Sequence, residues 1–173
     1  RGWKKGGHGK VDLDKAIVVS SNTYFFSLAY RSDIDDLAEH LSKFGFGKKV
    51  CLDCFDEDEG LIPSPQWKRN KLNSGWSRGD TVNLGVGQGY MVATPIQLAY
   101  YSSILAKKGS MNALSLVQDT TDTLNSTIGF NNFKNRDWAQ LHKAMTDVID
   151  STEGTSRRLK NLKSFQVAAK SGT

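Results

Sequence analysis

The chain has 173 residues, room for one domain of ordinary size, and its 38% hydrophobic and 10% aromatic content excludes a disordered polypeptide. Its formal charge is +5, but the basic residues (Lys4, Lys10, Lys43, Lys48, Lys68, Lys107, Lys134) are scattered. No nucleic-acid-binding motif accompanies them, so nucleic acid is not an expected partner. No apolar run approaches the roughly 18 residues of a bilayer span, and the start at Arg1-Gly2-Trp3 and the stop on Thr173 both read as cut ends, the mark of a fragment.

Residues 1–10 are basic and Gly-rich and read as a loop. Asp12 caps a short helix carrying Leu13, Ala16, Ile17 and Val19, which the turn Ser20–Asn22 interrupts. A second helix starts at Asn22 or Thr23 and runs through Tyr24, Phe25, Leu28 and Ala29. From Asp33, the positions Ile34, Leu37, Ala38, Leu41 and Phe44 form one face of an amphipathic helix closed by Gly45 and Gly47. A hydroxyl on the turn between packed segments is held firmly and can face a cleft, so Ser20 and Asn22 are expected to point into one cavity and Ser21 away from it.

Residues 48–93 read as irregular, with Pro63, Pro65 and many glycines. Cys51 and Cys54 form one C-x-x-C with no second ligand pair for a structural zinc and no βαβ context for a thioredoxin-like site. They read as incidental cysteines of a solvated loop, bridged locally if the compartment is oxidising. The acidic run Asp53, Asp56, Glu57, Asp58, Glu59 hints at calcium, but Gly60 stands at the wrong offset for an EF-hand. Gly85-Val86-Gly87-Gln88-Gly89-Tyr90 fails the dinucleotide pattern at Tyr90 and reads as a tight turn.

Thr94-Pro95-Ile96-Gln97 is a helix start with N-cap, N1 proline and capping box, and the helix should run to about Lys108 with Gly109 as its stop. Residues 110–133 read as irregular apart from a short strand at Ala113–Val117. Trp138, Leu141, Met145, Val148 and Ile149 mark a further amphipathic helix, and a strand over about Ser164 to Lys170 closes the chain. No linker divides the sequence into two domains.

The triplet Ser20-x-Asn22 lies far upstream of Lys170-Ser171-Gly172-Thr173, which follows the apolar run Phe165–Ala169. This pairing resembles the active-site motifs of penicillin-binding proteins and serine β-lactamases, whose set also includes a Ser-x-x-Lys. Gly87-Gln88-Gly89-Tyr90 with Ala93-Thr94-Pro95-Ile96-Gln97 resembles a segment of high-molecular-weight transpeptidases, and Glu153-Gly154-Thr155-Ser156 looks like the loop before their final strand. With Gly7-His8-Gly9-Lys10-Val11-Asp12-Leu13, Phe44-Gly45-Phe46-Gly47 and Gly79-Asp80-Thr81, the resemblance narrows to the penicillin-binding protein 2 family, class B transpeptidases of rod-shape elongation in Gram-negative bacteria. It runs along nearly the whole chain and is weakest over 110–150.

The resemblance implies an α+β, β-lactamase/transpeptidase-like fold, with residues 1–173 a mostly helical part of a transpeptidase domain that ends in the strand carrying Lys170 to Thr173. It implies a D,D-transpeptidase: a serine attacks the penultimate D-Ala carbonyl of a stem peptide, D-Ala leaves, and an amine of a second stem resolves the acyl-enzyme. β-Lactams would trap that acyl state. Catalytic roles fall to Ser20 as proton relay, Asn22 as a hydrogen-bonding amide for substrate and a neighbouring lysine, and Lys170 as positive charge near the substrate carboxylate and Ser20. Ser171 and Thr173 would bind the substrate carboxylate, Gly172 would leave room for substrate, and the Thr173 N–H would be half of the oxyanion hole. Implied partners are stem peptides, β-lactams, a SEDS-type glycan polymerase and elongation scaffold proteins; the implied place is the periplasmic side of the inner membrane; no cofactor is implied.

Two departures qualify these implications. No lysine has a serine three residues before it, so the nucleophile's Ser-x-x-Lys is absent from these residues and is expected upstream of Arg1, with the fold's last strands beyond Thr173. The residues as given are therefore expected to be inactive alone. Some relatives hold zinc beside the triplet through acids, a His at the His8 position and a Cys at its centre; here the centre is Ser21 and Gly2 occupies an acid position, so no metal is expected. The alternative reading is a non-catalytic β-lactam sensor or scaffold of the same fold; a hydrolytic cousin and an unrelated basic binding module fit the motif series less well. The discriminating distance is Ser20 Oγ to Lys170 Nζ: about 4 Å or less for a shared site, tens of ångströms for a misread motif.

Overall fold

A computed structural model describes residues 4–112, 114–117, 125–127, 133–161 and 165–172. Its helices are α1 (Leu13–Val18), α2 (Asn22–Arg31), α3 (Ile34–Lys43), α4 (Pro65–Leu72), α5 (Arg78–Leu84), α6 (Pro95–Ala106) and α7 (Asn135–Asp150), followed by a 3-10 turn over Arg157–Asn161. Two short strands, β1 (Ser110–Asn112) and β2 (Asn125–Thr127), pair antiparallel with Ser110 opposite Thr127. The described residues are thus mostly helical.

The chain forms two compact units, one of residues 1–28 with 132–173 and one of residues 29–131, where the sequence shows no linker. The first unit is discontinuous, closed by tertiary packing of α1 on α7. In it Ile17, Ala144 and Val148 are buried together, with Phe25, Leu141, Met145 and Ala169 packed around them. Leu141, Ala144, Met145 and Val148 stand at i, i+3, i+4 and i+7 of α7, the stripe that a core-facing helix presents. Segment 165–172 lies against the same helix: the Ala169 N–H donates to the Met145 carbonyl at 3.0 Å. The strand expected over Ser164 to Lys170 therefore does not form among the described residues, because this amide bonds to a helix instead of a neighbouring strand.

The second unit is built on α6. Thr94 and Gln97 form the expected reciprocal capping box, and Pro95 occupies the first helical position. Gln97 is fully buried and continues beyond the box, donating Nε2 to the carbonyls of Lys48 at 2.9 Å and Glu59 at 2.8 Å. Helices α1 and α3 start after Asp12 and Asp33 as expected, and α7 contains the expected apolar positions from Trp138 to Ile149. Helices α4 and α5 fall inside the stretch expected to be irregular; of the strand expected at Ala113–Val117, Ala113 lies outside the described residues and residues 114–117 form only an isolated bridge of Leu114 with Cys51. The turn with Gly87 and Gly89 has both glycines at positive φ, +73° and +81°, as a tight turn requires.

Cys51 and Cys54 are joined in a disulfide. The acidic run around them holds backbone: Glu57 accepts the N–H groups of Val50 and Cys51 at 2.8 and 3.0 Å, and Asp53 accepts those of Leu116 and Val117 at 2.8 and 2.9 Å. These bonds, that to Leu116 first, hold Asp53 below the usual carboxylate range.

Lys68 and Asp80 tie α4 to α5 through a 2.7 Å ion pair whose side chains are 10% and 12% exposed. Burial pushes the Asp80 carboxyl up, but the hydrogen bonds from Lys68 and Ser77 outweigh it and leave it below its ordinary value. Asp80→Asn strands the lysine in a nearly buried place and is expected to cost about 3 kcal/mol. Because the folded-state value is depressed, the pair's contribution is present above the unfolded aspartate value of about 3.9 and lost as pH falls through the folded one. Equilibrium unfolding of wild type and Asp80→Asn at pH 7 and pH 3 checks this: the gap between them should shrink in acid.

Candidate active site

The turn between α1 and α2 is a helix C-terminus of the Schellman type. The Ser21 N–H donates to the Ala16 carbonyl at 2.9 Å and the Ser20 N–H to the Ile17 carbonyl at 3.3 Å, closing the last turn of α1. Ser20 occupies the left-handed position of this motif, with φ +52°, where glycine is the usual residue. Ser21 is 8% exposed and its Oγ accepts the Tyr24 N–H at 3.4 Å, so it caps α2. The two adjacent serines are thus separated: Ser21 is spent on the helix start, while Ser20 is half-buried and turned toward the end of the chain. Asn22 is exposed at the first position of α2.

Lys170 reaches this turn across 150 residues of sequence, its Nζ 2.8 Å from Ser20 Oγ. The same ammonium lies 2.8 Å from the Ser171 carbonyl oxygen and 3.3 Å from Ser171 Oγ. A lysine ammonium has three donors and no lone pair, so all three oxygens accept and the Ser20 proton is directed elsewhere. Although the residue as a whole is exposed, atoms crowd its ammonium end, and this desolvation lowers the Lys170 pKa. A neutral amine reverses the bond and takes the Ser20 proton, so the lowered value makes proton transfer through this hydroxyl accessible.

The loop after α7 adds a residue to which the motif reading gave no role. The Thr155 hydroxyl lies 3.0 Å from Ser171 Oγ. The loop comes this close because residue 154 is glycine: a Cβ there would stand 2.3 Å from the Val148 carbonyl oxygen and 2.8 Å from that of Asp147. Backbone bonds from Gly154 N to Ser151 O and from Ser156 N to Val148 O, both 3.0 Å, fix the close approach. Lys170 donates to Ser171 Oγ, and either hydroxyl of the Thr155–Ser171 pair can donate to the other; with Thr155 as donor, the Ser171 proton is left for a ligand. The signal in the sequence was Glu153-Gly154-Thr155, read only as a likeness. Glu153 itself makes 3.6 Å contacts with Lys4 and Lys15, partly exposed pairs of little energetic weight.

A Cβ at Gly172 would meet nothing within 4 Å, so the backbone beside Ser171 is open to an incoming chain. Thr173 lies outside the described residues. Among the described residues, the candidate metal ligands that come together are Cys51, Asp53 and Cys54, and their two sulfurs are in the disulfide. His8 is half-buried in its loop. At the triplet, Ser21 offers a capped hydroxyl in place of a thiolate, so these residues do not fit the zinc set of the relatives described above.

Comparison with known proteins gives the family. Residues 1–173 match the family described as the penicillin binding protein transpeptidase domain. The whole chain is 39% identical to the peptidoglycan D,D-transpeptidase MrdA of Acinetobacter baumannii, of which it spans 26%. A crystal structure of Pseudomonas aeruginosa PBP2 in complex with WCK 5153 covers 99% of the chain at 38% identity and a TM-score of 0.86, the chain spanning 40% of it. In the complex of PBP2 and MreC from Helicobacter pylori, the PBP2 chain is 30% identical with a TM-score of 0.89 over 99% of this chain, which covers 32% of it. The chain spans well under half the length of these relatives. It belongs to the penicillin-binding-protein transpeptidase domain family.

Proposed function

We propose that these residues form the Ser-x-Asn and Lys-Ser-Gly-Thr side of a peptidoglycan D,D-transpeptidase active centre that cross-links stem peptides during cell elongation and is blocked by β-lactams. The observation that carries this reading is the 2.8 Å contact between Lys170 Nζ and Ser20 Oγ, which joins two motifs at opposite ends of the chain. The nucleophile is a serine of a Ser-x-x-Lys that these residues do not contain. It attacks the penultimate D-Ala carbonyl and gives its hydroxyl proton to the lysine of its own motif; the C–N bond to the terminal D-Ala breaks as the leaving nitrogen takes a proton from Ser20, which Lys170 replenishes. An amine of a second stem peptide then attacks the ester and returns a proton through Ser20 to Lys170, and the freed serine recovers its own proton from the lysine of its motif.

Ser171 donates its proton to the substrate carboxylate, with the Thr173 hydroxyl beside it, and the Lys170 charge lies close by. Asn22 bonds the peptide backbone, Gly172 leaves the passage open, and the Thr173 N–H supplies one oxyanion donor, worth about 3 kcal/mol in comparable sites. The reading places the domain on the periplasmic side of the inner membrane, in contact with a glycan polymerase and with scaffold proteins of the kind seen in the MreC complex of the Helicobacter pylori relative.

The test is release of D-Ala from a stem pentapeptide by the intact protein with an amine acceptor present. Cross-linked product is expected; acylation by penicillin without any peptide turnover would favour a sensor instead. The pH profile carries a second expectation. Burial lowers the Lys170 pKa, so its charge is lost below the value of about 10.4 of a free lysine. Acylation should fall along an alkaline limb below that value, and Lys170→Arg, whose guanidinium does not titrate, should lose the limb. Stability moves the other way, rising between the folded and unfolded lysine values as the crowded charge is relieved.

A further inference from the structure

The loop that carries Thr155 continues into an open groove of about 740 Å³ lined by residues 154–159. It begins at the motif, since Thr155 both lines it and bonds Ser171 Oγ at 3.0 Å. Arg157 and Arg158 also line it; both are exposed, and no ion pair among the described residues involves either guanidinium. The neighbouring charges are already engaged: Lys160 Nζ donates to the Asp150 carbonyl at 3.2 Å, and Glu153 faces Lys4 and Lys15. The loop is also held in place, by the close approach of Gly154 to the end of α7. Two adjacent forks of N–H donors on a held loop, beside a site for a peptide's terminal carboxylate, match a second carboxylate of the same substrate.

We infer that Arg157 and Arg158 form an anion subsite which binds a side-chain or branch carboxylate of an acidic stem peptide while Ser171 takes the C-terminal one. The inference rests on the transpeptidase reading given above. It names a specificity the active-site motifs do not supply, because Ser171 and Thr173 serve any terminal carboxylate, including the single one of a β-lactam. The subsite favours peptides whose further carboxylates are free over those in which they are amidated.

The experiment compares two stem pentapeptides on the intact protein, one with its side carboxylates free and one with them amidated, both keeping the C-terminal carboxylate. Wild type is expected to favour the acidic peptide about 10-fold in kcat/KM, through KM, the value of one charge-assisted contact. Arg157→Gln with Arg158→Gln should bring that preference close to unity, and Arg157→Lys with Arg158→Lys should restore part of it. A preference unchanged in the double glutamine variant overturns the subsite. Should that variant fail to fold, the wild-type preference must still shrink as ionic strength rises, and a salt-independent preference overturns it equally. Release of D-Ala from both peptides at equal rates by wild type removes the subsite alone; release from neither removes the transpeptidase reading with it.

Discussion

Ser20→Gly in the intact protein is expected to raise stability while cutting penicillin acylation about 1000-fold, the middle of the range for a lost proton-transfer group. Ser20 sits at φ +52° in the left-handed position that ends α1, where a side chain costs about 1 kcal/mol that glycine does not. Glycine keeps both backbone bonds of the turn, Ser20 N to Ile17 O and Ser21 N to Ala16 O, and relieves the strain. What it removes is the Oγ that lies 2.8 Å from Lys170 Nζ. A gain of about 1 kcal/mol corresponds to a melting temperature higher by about 2–4 °C for a cooperative unit of about 150–250 residues. Ser20→Ala separates the two effects, losing the hydroxyl and the rate without the backbone relief. A strained serine where glycine fits better is what a site retained for chemistry predicts. Acylation at the wild-type rate in Ser20→Gly, or a lower melting temperature, would contradict this.

The largest stability effect should come from Gln97→Ala, a loss of about 4 kcal/mol. Gln97 is fully buried and satisfies three backbone groups of separate segments: the Lys48 and Glu59 carbonyls through Nε2, and the Thr94 N–H, which donates to Oε1 at 3.1 Å. Its removal leaves these part-buried groups without that partner, at about 1–3 kcal/mol each, and opens a cavity. Gln97→Leu fills the space without the bonds and should recover only the cavity share. Thermal unfolding read by circular dichroism measures both; a shift of less than about 2 °C for Gln97→Ala would mean that the second unit does not depend on this knot.

The elements legible in the sequence were those with a cap, a stripe or both. Asp12 and Asp33 announce α1 and α3 ahead of apolar positions at helical spacing, Thr94 with Pro95 and Gln97 announces α6, and α7 shows by its stripe alone. Helix α4 has its cap in Ser64 and Pro65, but Gln66, Lys68, Arg69, Asn70 and Lys71 leave it no apolar face, and α5 shows only its Ser77–Asp80 box. Both are held by the Lys68–Asp80 pair, a tertiary contact that periodicity does not carry. The division into two units was illegible for a related reason: the first unit closes through α1 on α7, so composition along the chain contains no linker to see.

The site divides in the same way. Ser20 and Lys170 could be named from motif spacing, because their types and order carry the chemistry. Thr155 could not, since its role comes from a glycine fitting against helix carbonyls and a loop placed by that fit. The left-handed backbone at Ser20 was hidden as well; the triplet reads equally as a helix start, and Ser21 does serve as one.

The most direct test is to label the intact protein with fluorescent penicillin and map the modified peptide. The account predicts a single label, competed away by unlabelled β-lactam, on a serine outside residues 1–173 that precedes a lysine by three positions, with Ser20 unmodified. A label on Ser20 would make it the nucleophile in place of a relay, and no label on the folded protein would contradict the transpeptidase centre itself.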